Sequence, residues 1–242
     1  EEFELQVFQK ALDKAAYRGP DYQHVSIDHG ITWGFNRLSI MDLSTNGNQP
    51  FVYKDYTLVC NGEIYNYPAL KTKLESSYTF KSGSDFEILC KYLDAEFALV
   101  LYDNKTKQLM AARDPMGIRP MFYGYSKKEH QICFASEAKA LFDLCDDIMP
   151  FPPGHYYLDG QFVCYNDLSD PKTIVDDDLE TIAGKLKTKL EKAVEKRFMS
   201  DAPIGYLLSG GLDSSLVCAI GQKLSDKPIR TFAIGMESDP ID

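Results

Sequence analysis

Apolar residues recur at helical spacing at the beginning of the chain. Within residues 3–16, apolar side chains return every three or four positions, as at Phe8, Leu12 and Ala15, and this pattern predicts a helix. The Arg-Gly-Pro-Asp segment at 18–21 ends the predicted helix, because proline lacks the backbone donor that a continuing helix needs.

Short strand-like runs separated by turns dominate the sequence from there to residue 165. The predicted strands comprise residues 31–35, 56–60, 97–102, 108–112, 121–125, 131–134, 156–158 and 161–165. A short helix is predicted at 136–142, and the polar run at 103–106 is typical of a hairpin turn. Because strands predominate over helices, the pattern predicts an α+β domain built on antiparallel sheet.

The pattern changes near residue 166. A polar stretch leads to a candidate helix N-cap among residues 176–178, followed by apolar residues at helical spacing such as Leu186, Leu190 and Val194. This spacing predicts a long amphipathic helix.

A strand, a polar loop, a helix and a second strand at 229–234 follow the long helix. This order predicts a βαβ unit, which begins a doubly wound parallel sheet. We therefore expect two domains, at residues 1–170 and 171–242.

Composition and charge narrow the class of protein. Of 242 residues, 44% are apolar, and the net charge of −10 disfavours nucleic acid and anionic membranes as partners. The sequence contains no membrane-spanning apolar run, and its acidic, amphipathic first residues are not expected to form a signal peptide. The cysteines lack C-x-x-C spacing, so we interpret them as reduced, buried thiols of a cytoplasmic protein. They are Cys60, Cys90, Cys133, Cys145, Cys164 and Cys218.

The loop of the βαβ unit reads Ser-Gly-Gly-Leu-Asp-Ser-Ser at 209–215. The first N–H groups of the following helix and its dipole favour an anion there, and two glycines let a ligand approach the backbone. Asp213 would repel a bare phosphate, which indicates a bridging Mg²⁺. No P-loop lysine is present. The structural alternative is a βα turn with a serine N-cap.

This string resembles the pyrophosphate loop of the N-type ATP pyrophosphatases, which cleave ATP between the α and β phosphates. The resemblance implies ATP and Mg²⁺ as cofactors, with Asp213 as a metal ligand. The implied ATP-contacting positions are Leu208, Ser209, Gly210, Gly211, Asp213, Ser214 and Ile234. For the two apolar positions in that set, ordinary core packing is the alternative.

Eight strings in the first half match one family in order. They are RGPD (18–21), GFNRLSIMDLS (34–44), GNQPF (47–51), CNGEIYNY (60–67), SGSDFEIL (82–89), ARDPMGIRPMFYG (112–124), FASEAKAL (134–141) and PPGHYY (152–157). Together they resemble the glutamine amidotransferase domain of the glutamine-hydrolysing asparagine synthetases. The resemblance implies an Ntn-hydrolase-like αββα sandwich of antiparallel sheets, followed by the start of an α/β parallel-sheet ATP pyrophosphatase domain.

The residue types in these strings suit a glutamine site. Arg37 offers a planar fork for a carboxylate, and Asp85 offers a counter-charge for an ammonium group. Asn61 and Gly62 can donate N–H groups to a tetrahedral oxyanion. By resemblance, the glutamine-contacting positions are Arg37, Leu38, Ser39, Ile40, Met41, Asn61, Gly62, Glu63 and Asp85.

Simpler readings of these residues stay open. Arg37 could form a structural salt bridge, and an Asn-Gly pair is common in hairpin turns. Arg119 and the 137–139 segment belong to family strings, but we assign them no contact.

The family nucleophile is an amino-terminal cysteine whose own α-amine acts as the base. No cysteine precedes Cys60, which we interpret as a core strand thiol. Either the protein lacks glutaminase chemistry or the sequence omits its first residues, and the intact motifs favour omission. The short connection between residues 89 and 93 and the absence of later synthetase motifs agree, so we expect part of a longer polypeptide.

The resemblance implies a coupled reaction. The first domain would hydrolyse glutamine to glutamate and ammonia, and the second would activate aspartate with ATP as β-aspartyl-AMP. Ammonia crossing between the sites would yield asparagine, AMP and pyrophosphate. A homodimer is an expected assembly. The alternatives are a β-lactam synthetase-like enzyme that acts on another carboxylate, and a non-catalytic glutamine-binding module.

Overall fold

The computed structural model describes residues 2–66 and 94–235. The chain divides into two compact units. The first unit comprises Glu1–Ser39 and Ser44–Lys172, and the second comprises Ile40–Leu43 and Thr173–Asp242. The short segment at 40–43 therefore belongs with the carboxy-terminal part of the chain.

Short strands outnumber helices among the described residues. Helices α1 to α4 comprise Glu2–Asp13, Ala138–Leu141, Leu179–Lys196 and Leu212–Leu224. Strands β1 to β8 comprise Tyr22–Asp28, Ile31–Arg37, Phe51–Tyr53, Tyr56–Ile64, Ala95–Asp103, Gln108–Arg113, Phe122–Ser126 and Ile132–Ala135. Strands β9 to β13 comprise Cys145–Pro150, His155–Leu158, Gln161–Cys164, Gly205–Leu207 and Arg230–Phe232. Two 3₁₀ turns lie at Ala16–Arg18 and Thr45–Gly47.

The first unit is built on antiparallel sheets. Six strands pair in the order β11-β10-β6-β5-β4-β3, three pair as β8-β7-β9, and β1 pairs with β2. The predicted α+β domain is therefore confirmed.

The core of this unit lies between the six-stranded and three-stranded sheets. Ala98, Ala111 and Tyr157 line one face of the larger sheet and pack with Phe151 and with Phe134 of β8. The rings of Phe134 and Tyr157 meet edge to face, with centroids 5.6 Å apart. Face-to-face packing of this kind buries the apolar side of both sheets.

The opposite face of the larger sheet carries a second apolar cluster. Phe97, Met110 and Ala112 are buried there, and Cys60 and Leu99 pack against them. Because side chains alternate along a strand, neighbouring positions on β5 serve different clusters.

Helix α1 packs directly on the β1-β2 ribbon at Gly34. A Cβ atom at that position would lie 2.6 Å from the Phe8 ring and 3.2 Å from Leu12, so a larger residue would displace these side chains. The Asn36 side chain also donates to the Leu12 carbonyl over 3.1 Å. On the other face of β2, Trp33 and Arg37 are buried.

The second unit contains the predicted long helix and βαβ unit. Asp178 caps α3 by accepting the Thr181 N–H over 2.9 Å. Strands β12 and β13, which precede and follow α4 in the sequence, pair in parallel. Within this unit the Ile40 carbonyl accepts the N–H groups of Asp201 and Ala202. In the part of the chain that the structure describes, no helix is long and apolar enough to cross a membrane.

Several expectations need correction. Strands β1, β3 and β9 were not predicted, and α1 ends at Asp13 rather than at residue 16. The five cysteines among the described residues are free. Cys145 and Cys218 are buried as expected, Cys60 and Cys133 are only partly buried, and Cys164 is exposed, so the expectation of burial is wrong for Cys164. Cys164 ends β11, which is an edge strand of its sheet. Cys90 lies outside the described residues.

Candidate active site

The predicted oxyanion donors lie near the carboxyl end of β4. Gly62 faces Phe97 across the β4-β5 ladder. The N–H and C=O of Phe97 both bind Asp114 on the other side of β5, the first to its carboxylate at 3.3 Å and the second to its N–H at 2.8 Å. The Gly62–Phe97 pair is therefore of the non-hydrogen-bonded kind, and the Gly62 N–H points to the opposite edge of β4.

Within residues 2–66 and 94–235, that edge of β4 is only partly paired. Strand β3 accompanies β4 as far as Leu58, where Phe51 is its partner. At the next position on this edge, the Gln49 side chain replaces a strand: its Nε2 donates to the Cys60 carbonyl over 2.9 Å, and its Oε1 accepts the Cys60 N–H over 2.7 Å. The Gly62 N–H comes directly after this side-chain pairing.

Asn61 and Glu63 project from the same face of β4, because they are two residues apart on one strand. Their cross-strand partners are Ala98 and Glu96, and Ala98 belongs to the core between the sheets. The Asn61 side chain thus projects from this face, and the N–H of the next residue, Gly62, points along the sheet to the edge of β4. Neighbouring side-chain and backbone donors are the groups from which an oxyanion site is built. The catalytic role of this pair stays a prediction.

Gly62 is required at this position by space. A Cβ atom there would lie 2.3 Å from the Glu96 carbonyl oxygen and 2.9 Å from the Phe97 Cα. No side chain fits without moving the backbone of β5.

Arg37 is buried at the end of β2. Its Nη1 donates to the Ser44 carbonyl and to the Asn48 side chain, each over 2.7 Å. One nitrogen of the fork therefore holds the turn at Thr45–Gly47, which makes part of the role of Arg37 structural.

The other predicted glutamine contacts are distributed differently. The Ser39 N–H donates to the Asp21 carboxylate over 2.7 Å, which fixes the chain after Arg37. Leu38 is exposed. Ile40 and Met41 belong to the second unit, and their contact with glutamine stays a prediction. Asp85 lies outside the described residues.

A buried carboxylate organises the loop after β6. Asp114 is 1% exposed, and its oxygens accept the N–H groups of Met116, Ile118 and Arg119 over 3.0 to 3.1 Å in addition to that of Phe97. A carboxylate bound by four backbone donors fixes the loop and the strand together.

Arg113 holds the same loop from the other side. Its guanidinium donates to the carbonyls of Arg119 and Gly117 over 2.8 Å each and to that of Phe151 over 2.6 Å. Burial lowers the pKa of Arg113, and the neighbouring Asp114 charge opposes that shift.

This loop directs Arg119 at two carboxylates. Its Nη2 lies 3.8 Å from Glu63 Oε1 and 3.7 Å from Glu96 Oε2. Sequence reasoning missed Glu96 and gave Arg119 no contact. The signal that joins them is the strand register, which places Glu63 opposite Glu96, and register cannot be read from local motifs.

Cys60 does not have the properties of a nucleophile. Burial raises the pKa of its thiol to about 11, and the charge of Arg119 only partly opposes this. The thiol stays protonated at neutral pH, which supports its interpretation as a core residue.

The loop at 209–215 has a different construction. Gly210 adopts a positive φ of 78°, and Gly211 precedes the first turn of α4 without a side-chain cap. Ser214 Oγ accepts the Ser209 N–H over 3.2 Å, lies 3.0 Å from Ser209 Oγ and donates to the Gly211 carbonyl. These bonds shape the loop around the two glycines.

The space around these glycines is open, since a Cβ atom at Gly210 would meet nothing within 4 Å. Hydroxyls, glycine backbone and the exposed Asp213 in the first turn therefore form a donor set that fits a pyrophosphate with a metal ion. Among the described residues, no group of three or more metal-binding side chains occurs. Mg²⁺ stays a prediction.

The positions predicted to contact adenosine, Leu208 and Ile234, flank this loop. The Leu208 N–H donates to the Phe232 carbonyl over 2.8 Å, which extends the parallel pairing. Ile234 is fully exposed, so the alternative of core packing does not describe it in this structure.

Both halves of the chain match known protein families. Residues 1–151 match the family model described as a glutamine amidotransferase domain, and the chain belongs to that family. Residues 185–242 match the model described as asparagine synthase, whose family uses ATP. The resemblance to the glutamine-hydrolysing asparagine synthetases is thereby confirmed.

Curated relatives of the chain are named as glutamine-hydrolysing asparagine synthetases. The chain is 37% identical over 249 residues to asparagine synthetase [glutamine-hydrolyzing] 2 of Arabidopsis thaliana, covering 93% of this chain and 42% of the relative. It is 38% identical over 258 residues to a probable asparagine synthetase [glutamine-hydrolyzing] of Dictyostelium discoideum, covering 93% of this chain and 46% of the relative. The chain thus spans less than half the length of these relatives.

A solved structure has the same fold. The allosteric regulatory enzyme of purine biosynthesis matches with a TM-score of 0.51 at 18% identity, covering 97% of this chain and 64% of that one. Together with the antiparallel sheets, this match confirms the predicted fold class.

Proposed function

We propose that this chain carries the glutamine site and the ATP-binding loop of a glutamine-hydrolysing asparagine synthetase. The overall reaction would convert ATP, aspartate, glutamine and water to asparagine, glutamate, AMP and pyrophosphate. The observation that carries the proposal is the end of β4, where the Gly62 N–H points away from β5 and its neighbours Asn61 and Glu63 project from one face of the strand.

The glutamine site would work by orientation and charge stabilisation. Arg37 receives the substrate carboxylate, and Glu63 and Asp85 receive its ammonium group. The Asn61 amide and the Gly62 N–H stabilise the oxyanion that forms when a thiolate attacks the side-chain amide. Collapse of this intermediate releases ammonia and leaves a thioester, which water hydrolyses to glutamate.

The nucleophile in this proposal is an amino-terminal cysteine with its α-amine as base. Cys60 does not fit the role, because its thiol is buried and neutral and cannot supply a free α-amine. The proposal therefore concerns the protein with its authentic amino terminus.

At the second site, Gly210, Gly211 and Ser214 would bind the pyrophosphate portion of ATP, with Ser209 supporting Ser214. Leu208 and Ile234 would flank the adenosine. Asp213 would hold a Mg²⁺ ion, which when bound supplies neutralising charge for the leaving pyrophosphate. Attack of the aspartate β-carboxylate on the α-phosphate gives β-aspartyl-AMP, and ammonia then displaces AMP.

The test uses full-length protein with its authentic amino terminus, verified by intact mass. Ammonia and glutamate are measured with glutamine alone, and pyrophosphate with ATP in the presence and absence of aspartate. Asn61→Ala should reduce ammonia release by about a hundredfold, as expected for loss of one oxyanion donor. The matched control is Asn166→Ala, since Asn166 is exposed and bonds through its backbone.

The outcomes separate the candidate functions. Absence of ammonia release would reject the glutaminase, and glutamine binding without hydrolysis would favour a binding module. Pyrophosphate release that does not depend on aspartate would favour a related synthetase that acts on another carboxylate. Aspartate-dependent pyrophosphate release with asparagine formation is the expected result.

We also propose a cytoplasmic homodimer that does not bind nucleic acid or membranes. The net charge of −10 supports the exclusion of anionic partners, and the free cysteines among the described residues suit a reducing compartment. Light scattering, cell fractionation and nucleic-acid binding at low salt test these points separately.

A further inference from the structure

We propose that Arg119 is a positioning residue that holds Glu63 in place to receive the ammonium group of the amino-acid substrate. The inference rests on the proposed glutamine site and adds to it Arg119 and Glu96, which no motif assigned. It follows from the geometry of the loop that carries Arg119 and from the pairing of β4 with β5.

The backbone of Arg119 is held at both ends. Its N–H donates to the buried Asp114 carboxylate over 3.1 Å, and its carbonyl accepts the Arg113 guanidinium over 2.8 Å. Its Nε is buried as well. The guanidinium therefore extends from a fixed point, unlike a long side chain on a free surface.

The two carboxylates that Arg119 faces are direct cross-strand partners. Glu63 and Glu96 stand opposite each other on one face of the sheet, where like charges destabilise a strand pair. The Arg119 Nη2 lies between 3.7 and 3.8 Å from both, which offsets the repulsion.

The two carboxylates are not equivalent. Glu96 is also anchored by the Tyr65 hydroxyl, which donates to its Oε1 over 2.9 Å. Glu63 lies next to Gly62, on the part of β4 that extends beyond its pairing with β3. Its long ionic contact with Arg119 orients the group and leaves its oxygens able to accept donors from a ligand.

The charge of the cluster suits an ammonium group. Two carboxylates and one guanidinium leave one net negative charge, and this charge lies beside the predicted oxyanion donors. Without Arg119, Glu63 and Glu96 would repel each other, and Glu63 would turn away from the substrate.

The experiment is a kinetic cycle on full-length protein with its authentic amino terminus. Arg119→Met should raise KM for glutamine about tenfold or more, with kcat changed much less, because a charged contact orients the binding group. Arg119→Met combined with Glu96→Gln should restore most of the loss, since the repelling charge is gone. Arg119→Lys should keep KM near that of the unmodified protein.

A purely structural role predicts a different pattern. If Arg119 only supported the loop, Glu96→Gln would not rescue Arg119→Met, and this result would overturn the proposal. An unchanged or lowered KM in Arg119→Met would overturn it as well. Glu129→Gln, at an exposed glutamate, is the control for Glu96→Gln and should leave KM unchanged.

A readout without substrate separates this inference from the proposed function. With ¹⁵N-labelled arginine, the Arg119 Nε resonance should move in both Glu63→Gln and Glu96→Gln. If the Arg119 Nε resonance does not move in Glu63→Gln, the positioning role is contradicted even if glutamine is hydrolysed. If the resonance responds but no ammonia is released, the cluster stands and the proposed function fails.

Discussion

The two predicted ligand sites are built on opposite principles. Around β4, charged side chains bind the backbone: the buried Asp114 accepts four N–H groups, and the half-buried Arg113 donates to three carbonyls. In the 209–215 loop, the hydroxyls of Ser209 and Ser214 are in contact with each other, and the glycines face open space.

This difference indicates how function and stability are coupled at each site. In the first unit, the groups that place Gly62 and Arg119 are the same groups that hold the sheet and loop together. In the second unit, the loop is shaped by local bonds at an exposed helix terminus. Substitutions should therefore reduce both stability and activity at the first site, and mainly activity at the second.

The largest expected effect comes from Asp114→Ala. Loss of the buried carboxylate leaves four backbone donors without their acceptor, so the free energy of unfolding should fall by about 3 kcal/mol or more. Urea denaturation measures the change. Asp143→Ala, an exposed aspartate paired with Lys14, is the control and should be nearly neutral. An equal loss of unfolding free energy in Asp114→Ala and Asp143→Ala would contradict the structural role of the buried carboxylate.

Gly62→Ala should have the next largest effect. Its Cβ would meet the β5 backbone, so overpacking should lower the free energy of unfolding by about 2 kcal/mol and strongly reduce ammonia release. The control is Gly184→Ala, because Gly184 lies exposed in α3 with no atom near its Cβ position. That variant should gain about 0.5 kcal/mol or more from helix propensity.

Gly210→Ala tests whether glycine is needed for its positive φ, because a side chain at this position has enough space. Space is open at Gly210, but its positive φ disfavours a Cβ atom, so we expect a loss of about 1 kcal/mol in stability. The rate of pyrophosphate release should fall by more than this small loss of stability can explain. A loss of stability as large as that in Gly62→Ala would show that the loop is part of the folded framework.

Ser214→Ala should change stability least, within about 0.5 kcal/mol, because Ser214 bonds only within an exposed loop. Pyrophosphate release should nevertheless drop. The neighbour Ser215→Ala is the control, since Ser215 bonds within the loop through its backbone N–H. A similar drop in both variants would contradict a specific role for Ser214.

Much of the fold could be predicted because it follows local patterns. The long helix α3 follows from apolar spacing, and the β5-β6 hairpin follows from a polar turn between two apolar runs. Strands β1 and β9 could not be predicted this way. Both carry many polar residues and are strands because β2 and β7 pair with them.

In the candidate site, too, only the residues that belong to a local motif could be predicted from the sequence. Asn61, Gly62 and Glu63 form a contiguous motif, so they could be named from the sequence. Glu96 and Arg119 could not, since they reach Glu63 through strand register and through a loop fixed by Asp114. Contacts that depend on long-range pairing leave no local signal in one sequence.

The side-chain pairing of Gln49 with Cys60 has a consequence for association between molecules. An unpaired strand edge can recruit a strand from another chain and so begin aggregation. By occupying the donor and acceptor of Cys60, Gln49 interrupts the edge of β4 between Leu58 and Gly62. A foreign strand loses its continuous template there, while a small ligand can still reach the Gly62 N–H beyond the interruption.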